Sequence, residues 1–411
     1  MSCGKKEDGD LSMKIIYVIS AFESANTGAG GHYYSLQTIA EAFKEYTPSA
    51  DVSILSFGDF FPLALESSPI PVEHIDVRLG GIPSLFDALQ RIASSGVTHL
   101  HAFDRKAFFF ARVIGILSAS KIYLTKPGGP NPKFYFPVCE DLFLFSRENL
   151  EYFTGHGRFN RCRKHLLPNR VKPPKLNDPR VGELSSRLKA RNFIILRIAR
   201  IGEYYLESIR QTVNLAQALR EMGQPATALL IGYIQSENTL SQIKEMLHQD
   251  DVVITDKYFA QQASGLIPVA NAVVGTGRSL MEAALCDRLV LCPIVGSGLP
   301  LLVRRQNVQE LMSTNFSERS VMPRMRDDAL AMLRQCMSDQ GKLTELLDET
   351  RLFAAEYFNV ADAMPMYERI YSSKQRLKGL RLDDIILLCG VVLSTLTGIY
   401  NRLRTKIFAR P

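Results

Sequence analysis

Markers of metal, redox and nucleic-acid chemistry are scarce in this sequence of 411 residues. Its seven cysteines (Cys3, Cys139, Cys162, Cys286, Cys292, Cys336, Cys389) are odd in number and form no Cys-x-x-Cys pair. That excludes a disulfide framework and leaves reduced core residues, as expected of a cytoplasmic protein. There is no His-Glu-x-x-His, and no Asp-x-Asp of the kind that grips a metal-bound nucleotide. No P-loop or serine triad is readable. Zinc-finger spacing and aromatic RNA-binding signatures are missing as well. The first twelve residues are polar and lack an apolar signal-peptide core, so export is not expected. Near the C-terminus, Ile385–Tyr400 is a run of sixteen residues without charge. As a helix it would rise about 24 Å, short of the ~30 Å bilayer core.

The remaining composition is that of a globular protein, with 46% apolar and 22% charged residues. The chain is too long for one typical core, so two domains are expected. A formal net charge of +7 suits anionic membranes or phosphorylated substrates, and is too diffuse to indicate nucleic acid.

Short β-branched or apolar runs at 14–20, 51–57, 98–102, 121–125 and 141–146 alternate with helical patterns at 32–43, 83–94 and 107–118. This alternation predicts a parallel sheet covered on both faces. The basic stretch 158–175, with Pro168, Pro173 and Pro174, reads as the end of a first domain and a linker, either solvated or facing an anionic lipid surface. The alternation then restarts with strands at 193–198, 227–231, 252–254 and 272–274. The expected division is 1–172 (with 1–12 a leader), 173–375, and an apolar and basic tail, 376–411.

The most informative segment is Val274-Gly-Thr-Gly-Arg-Ser-Leu-Met-Glu-Ala-Ala, followed by the apolar Leu289-Val-Leu-Cys-Pro. It predicts a strand, a glycine turn, a helix opening at Ser279, and another strand. Gly275 and Gly277 let the backbone approach an anion, and the helix start offers N–H donors and a positive dipole end. Glu282, one turn in, can accept hydrogen bonds from a ribose diol. The alternative is an ordinary βαβ turn with a solvated glutamate. Near the chain start, Gly28-Ala-Gly30-Gly31 lies between the first strand and helix, where open α/β sheets bind ligands. The third glycine position of a dinucleotide fingerprint is Tyr33, which disfavours a dehydrogenase.

The Gly275–Ala283 segment resembles the donor-site signature of retaining, GT-B-fold, sugar-nucleotide glycosyltransferases of the group 1 (family 4-like) type. The resemblance covers most of residues 13–372. It implies an α/β chain of two doubly wound, Rossmann-like domains facing each other across a cleft. It also implies hexosyl transfer from a UDP- or GDP-sugar, without metal or further cofactor, to a glycan or lipid-linked acceptor; the basic charge and apolar tail suggest surface polysaccharide or glycolipid synthesis. Donor contacts fall on Gly275, Gly277, Ser279 and Glu282, with Arg200 on the leaving diphosphate. The acceptor side falls on Gly30, Gly31 and His101. His101, in His99-Leu-His101-Ala, is either a cleft-facing group or a hydrogen-bonded core histidine. Lys126, in Thr125-Lys-Pro-Gly-Gly129, either neutralises an anionic group or is a solvated loop lysine.

Four positions depart from the family pattern, one of them Arg170 in place of the glycine of an interdomain Pro-Asn-Gly turn that Pro168-Asn169 resembles. The first motif glutamate falls on Val274, the lysine after Arg200 falls on Tyr205 or Leu206, and Asp287 stands where glycine is usual. Arg278 is a candidate substitute for the missing cation. These departures leave two rivals open: a sugar-nucleotide epimerase and a non-catalytic binding protein of the same fold. The expected partners are a nucleotide sugar, the acceptor and no nucleic acid. The tail, 385–410, either lies on the inner membrane face, packs against protein, or spans.

Overall fold

The computed structural model describes residues 13–374, apart from 23–29, 78–81, 133–135, 175–176, 189–191 and 322–328, together with Ile385. The polar leader, Gly28 and the rest of the 385–410 segment lie outside the described residues.

Seven strands form the first sheet: β1 (Lys14–Ala21), β2 (Asp51–Gly58), β3 (Val72–Asp76), β4 (His99–Ala102), β5 (Lys121–Lys126), β6 (Asp141–Leu144) and β7 (Arg163–Leu166). Their order is β3-β2-β1-β4-β5-β6-β7, and every pairing is parallel. Buried residues from both faces of β1 explain its near-continuous apolar sequence: Ile16 and Val18 join one core, Ile15, Tyr17 and Ile19 the other.

The second sheet contains β8 (Phe193–Ile198), β9 (Ala226–Ile231), β10 (Val252–Ile254), β11 (Ala272–Val274), β12 (Leu289–Cys292) and β13 (Leu301–Leu302). Its order is β10-β9-β8-β11-β12-β13. The two-residue edge strand β13 pairs antiparallel with β12, an exception to the expected parallel pattern. In each sheet the strand order reverses beside the first strand, β1 or β8. Crevices form outside the carboxyl ends of the strands at such switch points.

Two segments sit where the sequence did not suggest them. β7 lies inside the basic stretch read as linker. Its Arg163 and His165 both hydrogen-bond the fully buried Asp141, at 2.6–2.8 Å, which anchors an otherwise polar edge strand. The last described helix, Met364–Ser372, follows the second sheet in sequence but returns to the first. Met364, Tyr367, Ile370 and Tyr371 pack with Tyr17, Phe43, Tyr123 and Phe143. The Tyr371 carbonyl accepts hydrogen bonds from Lys121 Nζ at 2.8 Å and His99 Nε2 at 3.0 Å.

Candidate functional site

The chain leaves β11 through Gly275, Thr276 and Gly277 and enters the helix Arg278–Leu285. Gly275 is demanded by packing: a Cβ there would lie 2.6 Å from the backbone N of Leu280. Gly277 has φ +50°, which L side chains rarely adopt. The helix opens with no side-chain cap, leaving its first N–H groups for a ligand. The Ser279 hydroxyl donates to the Thr276 carbonyl at 3.1 Å and accepts from the Thr276 N–H at 3.2 Å, closing the turn.

Glu282 is 9% exposed. Burial pushes its carboxyl above the ordinary carboxylate range, against the opposing pull of Arg278. Arg278 Nη2 donates to Glu282 Oε1 at 2.7 Å, an i,i+4 ion pair on one helix face. The same arginine crosses to the first domain. Its guanidinium stands 6.0 Å from the Tyr34 ring, and its Cδ would lie 3.9 Å from a Cβ on Gly31.

Arg200 follows β8. Its Nη2 donates to the Tyr205 hydroxyl at 2.5 Å, and its guanidinium lies 5.1 Å from that ring. Three residues earlier, Arg197 is almost fully buried and donates to Ser208 Oγ at 2.8 Å and Glu318 Oε1 at 2.7 Å. On the first domain, Gly30 in extended conformation starts the helix Gly31–Tyr46. The loop after β5 runs through Gly128 and Gly129, at φ +79° and +77°.

Gly30, Gly31, Arg200, Gly277, Arg278, Ser279 and Glu282 line one cleft of about 560 Å³ between the two sheets' carboxyl ends. Three sequence candidates do not line it. Gly275 is held inside the strand–helix contact described above. Lys126 turns its ammonium back onto the Gly128 carbonyl.

His101 is corrected from an acceptor-side candidate to a core residue. It has no exposed surface, and its ring nitrogens hydrogen-bond the Tyr371 hydroxyl and Thr125 Oγ1, each at 2.6 Å. Burial pushes its pKa down to about 3, so the ring is neutral at physiological pH.

Sequence reasoning missed Tyr34, Tyr233, Asn315, Glu318 and Arg319, which also line the cleft. Burial pushes the Tyr34 hydroxyl up to about 12. Asn315 and Phe316 both adopt left-handed backbone, at φ 56° and 49°, and swing Ser317–Arg319 into the cleft. The run Asn315-Phe-Ser-Glu-Arg319 carries no glycine to announce that bend. Asn169, from the Pro168-Asn169 turn, lines the cleft as well and is 3% exposed.

No protein-family model and no curated protein matches the chain. Solved structures do. HepE of Anabaena in complex with UDP and glucose superposes with a TM-score of 0.61 at 16% identity, covering 88% of this chain and 100% of that one. A glycosyltransferase from Rickettsia africae gives 0.61 at 13% identity, covering 88% and 98%. A putative UDP-N-acetylglucosamine 2-epimerase from Listeria monocytogenes gives 0.54 at 10% identity, covering 90% and 100%. With two facing α/β sheets and this likeness over most of its length, the chain has the GT-B fold.

Proposed function

We propose that this chain is a glycosyltransferase that moves a sugar from a UDP- or GDP-linked donor to a glycan or lipid-linked acceptor. Arg200 carries the reading. Arg278 and Arg319, which also line the cleft, are ion-paired to Glu282 and Glu148, whereas Arg200 has only the Tyr205 hydroxyl among the described residues. An arginine without a carboxylate partner, facing an uncapped helix start, supplies positive charge where a leaving diphosphate gains negative charge as the bond to the anomeric carbon breaks. HepE, of the same fold, was crystallised with UDP-glucose, which supports a nucleotide-sugar donor.

In this reading the diphosphate lies between Arg200 and the Gly277–Ser279 turn. Glu282, held by Arg278, accepts from the ribose. Arg278 also closes on Gly31 and Tyr34, so binding draws the domains together and excludes water from the reactive sugar. Retention of anomeric configuration belongs to the proposal. So does a peripheral position at the cytoplasmic membrane face, through a tail outside the described residues. Among the described residues no helix is long and apolar enough to cross a membrane.

A non-catalytic binding role is favoured by one observation. Val274, at the place of the missing glutamate, is apolar and fully buried. Calorimetric titration of the protein with UDP and with GDP, beside Glu282→Ala, separates the readings. Micromolar binding of one nucleotide, lost in a variant whose circular dichroism is unchanged, is expected. Absence of binding by either nucleotide refutes the transferase reading.

A further inference from the structure

Across the cleft from the glycine turn, two cations from opposite domains share one acid. Arg319, on the second domain, donates from Nη2 to Glu148 Oε2 of the first domain at 2.7 Å. Lys126, at the end of β5, is close enough to feel both of these charges, and no carboxylate among the described residues pairs with it directly. Burial first, and Arg319 second, push its pKa down to about 8. Two positive groups beside one partly exposed carboxylate leave net positive charge that an incoming anion would offset.

The surrounding backbone is shaped for close approach. Gly128 and Gly129 are consecutive left-handed glycines, and a Cβ on Gly129 would lie 3.6 Å from Lys126 Nζ. A Cβ on Gly128 would lie 3.2 Å from Asn315 Nδ2, so the second domain bears directly on this loop. The Asn315 side-chain amide oxygen, Oδ1, is buried and has no hydrogen-bond partner among the described residues. A half-turn of the amide would present its NH₂ there instead, as an anion requires. Gly128, Gly129, Asn315 and Arg319 all line the cleft.

We propose that Lys126, Arg319 and the Gly128–Gly129 loop, with Asn315, form a phosphate subsite for the acceptor, so that the acceptor carries a phosphate group. This rests on the transferase reading, in which Arg200 and the Gly277 turn hold the donor diphosphate. Arg319 gives up part of its contact with Glu148 to the incoming anion, and Lys126 leaves the Gly128 carbonyl. Both groups then donate charge-assisted hydrogen bonds to the anion, and Lys126 exchanges a neutral carbonyl acceptor for a charged one.

The test is calorimetric titration of inorganic phosphate into the full-length protein already saturated with UDP, which keeps phosphate off the donor site. UDP affinity is measured first, for wild type and for Lys126→Met and Arg319→Met. Failure to bind UDP and GDP alike would sink the transferase reading itself; a protein that binds only GDP is saturated with GDP instead. If UDP binds, phosphate is expected to bind too, and to weaken by on the order of tenfold in each variant. Phosphate binding that is absent, or equal in all three proteins, overturns the subsite. A matching fall in UDP affinity would assign the two cations to the donor and also overturn it. Two further arms distinguish the source. Glucose 6-phosphate binding more tightly than phosphate supports a soluble phosphosugar acceptor. Tighter binding to vesicles containing phosphatidic acid than to neutral vesicles, lost in both variants, supports a phosphate-linked lipid.

Discussion

Lowering the pH should destabilise this protein through two histidines in the first-domain core. His99 and His101 have pKa values pushed down to about 4 and about 3, chiefly by burial, from an ordinary 6.5. A base with a depressed folded-state pKa stays neutral while the unfolded chain takes up a proton. Stability is therefore lost as pH falls below 6.5, and the loss is complete only beneath the folded value. Between pH 7 and pH 5, linkage gives about 2 kcal/mol for each imidazole. Glu282 and Glu318, whose carboxyls burial raises, act in the opposite sense over part of this range. A difference between wild type and His101→Gln removes their contribution, because they belong to the other domain. The chain has no tryptophan, so urea unfolding is followed by far-ultraviolet circular dichroism. The variant should be less stable at pH 7, having lost hydrogen bonds to Tyr371 and Thr125. Its stability should then fall more gently with acid, closing the gap by about 2 kcal/mol at pH 5. Parallel pH curves for the two proteins would refute the buried, neutral His101.

Gly275→Ala should destabilise the second domain by about 1–3 kcal/mol, because the added methyl meets Leu280 backbone that is fixed inside a helix. An unchanged thermal midpoint would show that the turn relaxes freely. Arg200→Ala should weaken UDP binding by about tenfold to a hundredfold while leaving stability nearly unchanged, since the arginine makes one hydroxyl contact and is only half-buried. Equal losses of stability and affinity would reassign Arg200 to a structural role.

The two sheets were legible because their central strands are short, β-branched and buried on both faces, so sequence and environment agree. Elements stabilised by distant partners were not legible. β7 reads Arg-Lys-His-Leu and depends on Asp141 of the neighbouring strand. The closing helix Met364–Ser372 follows the second sheet in sequence, and nothing in its amphipathic pattern says which core it will join. The glycine turn, Arg200 and Glu282 were found because backbone constraint and charge leave local signatures. Their partners were not legible: Ser279 bonds its own turn, and Lys126 folds back onto the Gly128 carbonyl. His101 misled for a related reason. A strand-end histidine looks the same in sequence whether it faces solvent or a tyrosine delivered from residue 371.

Three of the departures from the family pattern that the sequence resembles divide into backbone and charge. Asp287, at the place of a usual glycine, sits at φ +56°, so the turn after the motif helix keeps a glycine-like conformation. Aspartate tolerates that region better than most residues, at a modest cost in strain. Arg351 Nε contacts its carboxylate at 2.7 Å. The other two departures replace charged groups: Val274 for a carboxylate, and Tyr205 or Leu206 for an ammonium. Tyr205 hydrogen-bonds Arg200 and lies under its guanidinium, orienting the cation that remains. Val274 leaves the end of β11 without a negative charge. Arg278 and Arg319 each reach across to the first domain, where a negatively charged substrate would satisfy both halves of the molecule at once. Backbone shape is thus kept at the turn after the motif helix, while the cleft is lined by Arg200, Arg278 and Arg319. That combination favours a substrate more anionic than a neutral glycan.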